Sequence, residues 1–174
     1  MNDAQLLDSP LQDGAISFAR SYVKSDAFMT LFREGMGLVE QTASYLDGDG
    51  RKESAALPRE VALTYATESM RLTTRLMQIA SWLLVQRAVA EGEMTAEQAR
   101  AEHNKVKIAD PISAPASEIY AQLPQSLRDL MDHSLRMQAR IRRLEEQMTG
   151  AAPQEPRANP VQDQLAGLKA RLGL

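Results

Sequence analysis

Pro58–Glu91 reads PREVALTYATESMRLTTRLMQIASWLLVQRAVAE, and its apolar spacing decides the fold. Tyr65, Ser69, Leu72, Leu76, Ile79 and Leu83 follow one another at 4, 3, 4, 3 and 4 residues, the alternation of a helix packed along another helix. Pro58 suits the first helical position, where a missing N–H costs nothing. Gly92 suits the left-handed cap that ends a helix at Glu91. A helix over 58–91 would be about 50 Å long at the usual rise per residue. Around Ile79–Val85 apolar groups point to nearly every side, and a helix that is apolar all round is normally buried all round. Two neighbouring helices cannot cover every direction. The expectation is a two-fold homodimer through Trp82, Leu84 and Val85, with the 16–23 segment as the alternative cover.

Upstream, Ser25-Asp26 reads as an N-cap and first turn, and Phe28, Leu31, Phe32, Met36, Val39 and Leu46 keep a helical period. This predicts a helix over 26–46, ended by Asp47-Gly48-Asp49-Gly50, with an exposed charged loop over 48–57. Gly35 and Gly37 lie inside it, either for close approach of a neighbour or merely tolerated. Downstream, Thr95-Ala96-Glu97-Gln98 matches a capping box and predicts a short helix over 96–104. Pro111 and Pro115 place 105–117 in a loop. After Pro124, Leu127, Leu130, Ser134, Met137, Ile141, Leu144 and Met148 repeat at 3, 4, 3, 4, 3 and 4, which predicts a helix over 125–148. Asp132 stands four residues before Arg136, the favourable order for a helix ion pair.

The fold class that follows is all-α: an antiparallel three-helix bundle with a short extra helix in the second connection and a mobile C-terminal tail. The expected organisation is a flexible arm over 1–15, a bundle over 16–149, and a linker and tail over 150–174. The linker GAAPQEPRANP has three prolines in eleven positions. In the tail, Val161, Leu165, Leu168 and Leu172 fall at 4, 3 and 4, one amphipathic helix that is marginal alone.

Composition agrees with a single helical domain. The chain has 174 residues, 44% of them hydrophobic and 25% charged, so a packed core is expected rather than disorder. Cysteine is absent, which removes disulfides, thiolate metal sites and cysteine nucleophiles. A net charge of −3 argues against nucleic acid as the default partner. No basic region followed by an apolar stretch marks a secretory leader, and no apolar run is long enough for a membrane span, so a cytoplasmic protein is expected.

The sequence holds few groups arranged for chemistry. His133 beside Asp132, and one turn after Asp129, has no nucleophile at a useful spacing and reads as a helix-face histidine. Glu102-His103 is too small a set for a metal. Gly48-Asp49-Gly50 lacks the acidic spacing of a calcium loop. No phosphate-binding glycine loop is present. The expectation is therefore no enzyme activity and no cofactor. Arg136, Arg140 and Arg143 at i, i+4 and i+7 form one basic stripe, either a solvated face or a contact for an acidic partner. A helical DNA-associated or scaffold protein acting through this stripe is the alternative function. The helix over 58–91 is too long for a helix-turn-helix pair, and no aromatics interleave with the arginines.

FREGMGLVEQTASYLDGDGR (Phe32–Arg51) and ESMRLTTRLMQIASWLLVQRAVAEGEMT (Glu68–Thr95) resemble the alphaproteobacterial RcdA family, the regulators of CtrA degradation. The resemblance spans about residues 16–148. It implies a three-helix-bundle adaptor, dimeric in at least some states, without enzyme activity or cofactor. Such an adaptor delivers cell-cycle regulators, CtrA among them, to the ClpXP protease. The partners implied are ClpX with a priming receiver-domain protein, and a cyclic-di-GMP effector protein. Beside the resemblance, the candidate partner-binding residues are physical choices: Arg136, Arg140 and Arg143 on the last long helix, and Leu165, Leu168, Lys169, Arg171 and Leu172 in the tail.

Overall fold

The computed structural model describes residues 18–19, 21–105 and 117–149, and every element among them is helical. The expected arm and the expected linker and tail, with Leu165, Leu168, Lys169, Arg171 and Leu172, lie outside the described residues. The chain divides into two units. Arg20–Arg143 contains the bundle; the other unit is Met1–Ala19 with Leu144–Leu174, described only at 18–19 and at the end of the last helix. The helices are α1 (Asp26–Asp47), α2 (Asp49–Ala55), α3 (Arg59–Glu91), α4 (Ala96–Lys105), α5 (Ser117–Ala121) and α6 (Gln125–Thr149).

Local sequence explains the ends. Ser25 Oγ accepts the Phe28 N–H at 3.3 Å, one of the donors that a helix start leaves unbonded. Pro58 is the N-cap of α3 rather than its first helical residue, and Gly92 closes the helix at φ 80°. In the capping box, Thr95 Oγ1 accepts from Gln98 N at 3.2 Å and Gln98 Oε1 accepts from Thr95 N at 2.9 Å.

The loop expected over 48–57 is instead the two-turn helix α2. Gly50 is buried, and a Cβ there would stand 2.5 Å from Tyr65 Oη and 2.8 Å from the Tyr45 carbonyl. The turn residues Asp-Gly-Asp-Gly thus let the chain restart as a helix pressed against the base of α3. Tyr45 Oη donates to Glu53 Oε2 at 2.6 Å and ties α2 back to α1. Burial, with the Glu53 carboxylate second, holds the Tyr45 phenol above its ordinary pKa, so it remains a donor.

Cross-helix contacts give the directions. The Arg87 guanidinium lies 5.0 Å over the Phe32 ring, joining the end of α3 to the start of α1. Gly50, just beyond α1, meets Tyr65 near the start of α3, so α1 and α3 are antiparallel. Arg75 Nη1 donates to Ser134 Oγ at 2.8 Å, and farther along both helices Ile79, Leu83 and Met137 converge on Gly35. Hence α3 and α6 run parallel, and α1 is antiparallel to both. The 92–123 connection carries the chain back beside α3: His103 of α4 packs on Trp82, and α5 lies against α3 as well.

The core follows the expected seams. Leu72, Leu76, Ile79 and Leu83 of α3 and Leu127, Leu130, Ser134, Met137 and Ile141 of α6 are buried, joined by Phe28, Leu31, Phe32 and Leu38 of α1. Ser69 is only half-buried; Glu68 takes the inward place and bonds Arg71 Nη1 at 2.6 Å. A buried carboxylate needs such a partner. Gly35 is the close approach: a Cβ would run into Leu83 Cδ1, whereas nothing lies near Gly37.

Trp82 is 3% exposed and its ring stacks on His103, with centroids 6.0 Å apart. The single chain therefore covers Trp82, and it is not a surface residue for dimerisation. Burial lowers the His103 pKa. The neutral ring is the form that packs, so α4 docking is fully stable above the unfolded value near 6.5 and weakens as pH falls through the lower folded value. Trp82 is the single tryptophan of the chain, so its fluorescence reads the event. Emission is expected to quench and shift red as pH drops from 7 to 5, and to stay constant in His103→Phe. A flat profile in the native protein would show that α4 docking does not depend on the imidazole.

Candidate functional site

Two surfaces of the bundle stand out. The first is the seam where α1 meets α6. Glu34 reaches across it: Oε1 lies 3.1 Å from His133 Nε2, and Oε2 accepts from Arg140 Nη1 at 3.1 Å. A carboxylate only accepts, so Nε2 of His133 carries the hydrogen. Two turns along α1 from Glu34, the groove opens into a cleft of about 400 Å³ lined by Gln41, Tyr45, Ser126, Asp129, Leu130, His133 and Arg136. Asp129 accepts from Gln125 Nε2 at 2.6 Å. Arg136 is exposed and makes no hydrogen bond or ion pair among the described residues.

The arginine stripe is thus divided. Arg140 is committed to Glu34, while Arg136 and Arg143 are exposed and unpaired among the described residues. The Asp132–Arg136 pair does not form. Asp132 Oδ1 lies 3.4 Å from Tyr120 Oη instead, and an exposed ion pair gains too little in water to compel the geometry. The Glu34 carboxylate interrupts the row of arginines at Arg140. His133 is not a free helix-face histidine: it is half-buried and held by Glu34. Sequence reading passed over Glu34, Gln41 and Tyr45. Their spacings of 7 and 4 put them on one face of α1, but nothing in α1 alone says that α6 lies opposite.

The second surface is the outer face of α3. Leu63, Met70, Met77 and Leu84 are 70%, 72%, 67% and 54% exposed and recur every seven residues. Thr67 Oγ1 and Thr74 Oγ1 lie among them and donate to the Leu63 and Met70 carbonyls, both at 3.0 Å. These hydroxyls are satisfied within the helix, so covering the face would strand neither. Of the three residues expected at a dimer contact, Leu84 belongs to this stripe, Val85 is half-buried and Trp82 faces inward.

Among the described residues, no group of three or more potential ligand side chains could hold a metal ion, and no helix is long and apolar enough to cross a membrane. His103, considered above as a ligand, has its ring stacked on Trp82.

Comparison with known proteins places the chain. The family described as "Protein of unknown function (DUF1465)" matches residues 19–172. No curated protein matches. The crystal structure of RcdA from Caulobacter crescentus CB15 is 51% identical, with a TM-score of 0.62, and the match covers 76% of this chain and 99% of that one. Identity at this level along nearly a whole solved chain, together with the all-helical fold, leads to one conclusion: the chain belongs to the RcdA family.

Proposed function

We propose that this chain is a non-enzymatic adaptor of the cytoplasm that holds cell-cycle regulators, such as CtrA, and delivers them to the ClpXP protease. The observation that carries this reading is the 51% identity to RcdA across 99% of that chain. The partners are ClpX together with a priming receiver-domain protein, and a cyclic-di-GMP effector protein that brings further cargo. The α6 surface supports protein binding, because Arg136 in the cleft and Arg143 beyond it are exposed cations without a partner among the described residues. The tail, through Leu165, Leu168, Lys169, Arg171 and Leu172, engages the primed protease, and its linker raises the local concentration of delivered cargo. Two copies pair through the heptad stripe on α3, with Leu84 as the residue shared with the sequence expectation.

Reconstituted proteolysis tests this. CtrA turnover by ClpXP, in the presence of the receiver and effector proteins, is expected to rise several-fold when the full chain is added. Deleting residues 150–174 is expected to leave the melting temperature and cargo binding nearly unchanged and to remove the acceleration. No acceleration by the full chain defeats the adaptor reading. Normal delivery by a truncated chain, or its unfolding, defeats the role of the tail.

A further inference from the structure

We infer that the cleft between α1 and α6 is a pocket for a peptide carboxylate, with Arg136 as the residue that binds it. The charges around the cleft are otherwise spent. Glu34 engages both His133 and Arg140, Asp129 accepts from Gln125, and Tyr45 donates to Glu53. Arg136 alone among the charged lining side chains has no partner among the described residues. Its planar fork matches a carboxylate through two parallel hydrogen bonds.

The remaining lining selects a peptide rather than a phosphate. A dianion would face one cation and also the Asp129 carboxylate in the same cleft. A singly charged carboxylate avoids most of that repulsion. Asp129 lies seven residues from Arg136, about 10 Å along the helix axis. Three residues of extended chain span the same distance. A carboxylate on Arg136 therefore sets a backbone N–H two or three residues away within reach of Asp129. His133 Nε2 is turned to Glu34, so Nδ1 is the ring nitrogen not engaged by that carboxylate. Gln41 and Ser126 supply neutral donors and acceptors, and Leu130 gives the cleft an apolar wall. The volume of about 400 Å³ lies at the small end for ligand sites, enough for a short segment of chain.

The carboxylate has two sources, an acidic side chain or a chain terminus, and two probes separate them. One is an acetylated, amidated pentapeptide of alanines with a single central glutamate. The other is an acetylated pentapeptide of alanines with a free C-terminal carboxylate. Titration into the full isotope-labelled protein, followed by NMR, is expected to shift signals of Tyr45, His133 and Ser126 with at least one probe. Arg136→Gln is expected to weaken that binding by about tenfold or more, the loss of a charge-assisted pair. Arg143→Gln, which removes the other arginine of α6 that is unpaired among the described residues, is expected to leave it within about threefold, so general charge attraction is not the cause. Binding unchanged in Arg136→Gln, no shift with either peptide up to about 10 mM, or tighter saturation by inorganic phosphate each overturn the assignment. Arg136 is exposed, so the variant is expected to keep the native melting temperature. These titrations use no protease, so their failure and a failure of cargo delivery remain separate results.

Discussion

Phe28→Ala is expected to remove roughly 3–5 kcal/mol of stability, the range for deleting a buried aromatic side chain. Phe28 is fully buried one turn after the Ser25 cap. Its ring stands edge-on to Tyr22, with centroids 6.1 Å apart, and tilted against Phe32 at 6.3 Å. Alanine would lose the apolar area, both ring contacts and the filling of a site enclosed by larger groups. Such a loss is a large share of the 5–15 kcal/mol typical of a whole domain. The melting temperature should fall on the order of 10 °C for a chain of this size. Phe28→Leu keeps most of the volume and should cost less than about 1.5 kcal/mol. Denaturant unfolding of the three proteins checks the order. Equal midpoints for Phe28→Ala and the native chain would mean that the aromatic cluster does not hold the start of α1 in the bundle.

Replacing Met77 and Leu84 together by glutamate is expected to abolish self-association while leaving the fold intact. Both side chains are more than half exposed in the single chain, so neither charge disturbs the core. Leu63 to Leu84 spans about 30 Å of helix, and the seven-residue repeat is the spacing a second helix can follow without drifting off the seam. On a two-fold axis each substitution appears twice, and four carboxylates would enter one interface. Lost burial of about 1.5–3 kcal/mol per apolar side chain adds to the cost of desolvating like charges. Sedimentation at micromolar concentration should give a dimer for the native chain and a monomer for the double variant, with matching circular dichroism. A native monomer, or a variant that still pairs, would discard the stripe as the dimer surface. The lone substitution Val85→Glu is not equivalent, since Val85 is half-buried against its own chain.

Helix by helix, what the sequence determined is whatever depends on neighbours a few residues away. Ser25, the Thr95–Gln98 box and Gly92 mark ends because a cap is a bond between residues three or four apart. The seams of α3 and α6 are visible because a buried stripe repeats with the turn of the helix. The same reasoning errs by one residue at Glu68, where periodicity favours the smaller Ser69. Arg71, bonded to Glu68, and Arg75, bonded to Ser134 nearby, make a buried carboxylate tolerable.

Tertiary structure decided the rest, because those features join residues with no fixed separation along the chain. Gly50 is buried rather than exposed because Tyr65 packs over it. Trp82 is inside rather than at a dimer contact because α4 returns His103 to its face. The parallel run of α3 and α6 follows from where the 92–123 connection sets down the chain, which no local pattern encodes. The cleft is the clearest instance. His133 lies 99 positions from Glu34 and Arg140 lies 106 from it. Within the arginine stripe Glu34 takes Arg140 and leaves Arg136 and Arg143 without a partner among the described residues. A periodic stripe says which residues share a face, but a charge is spent or left free by whatever packs opposite, and only the folded chain brings that opposite side into place.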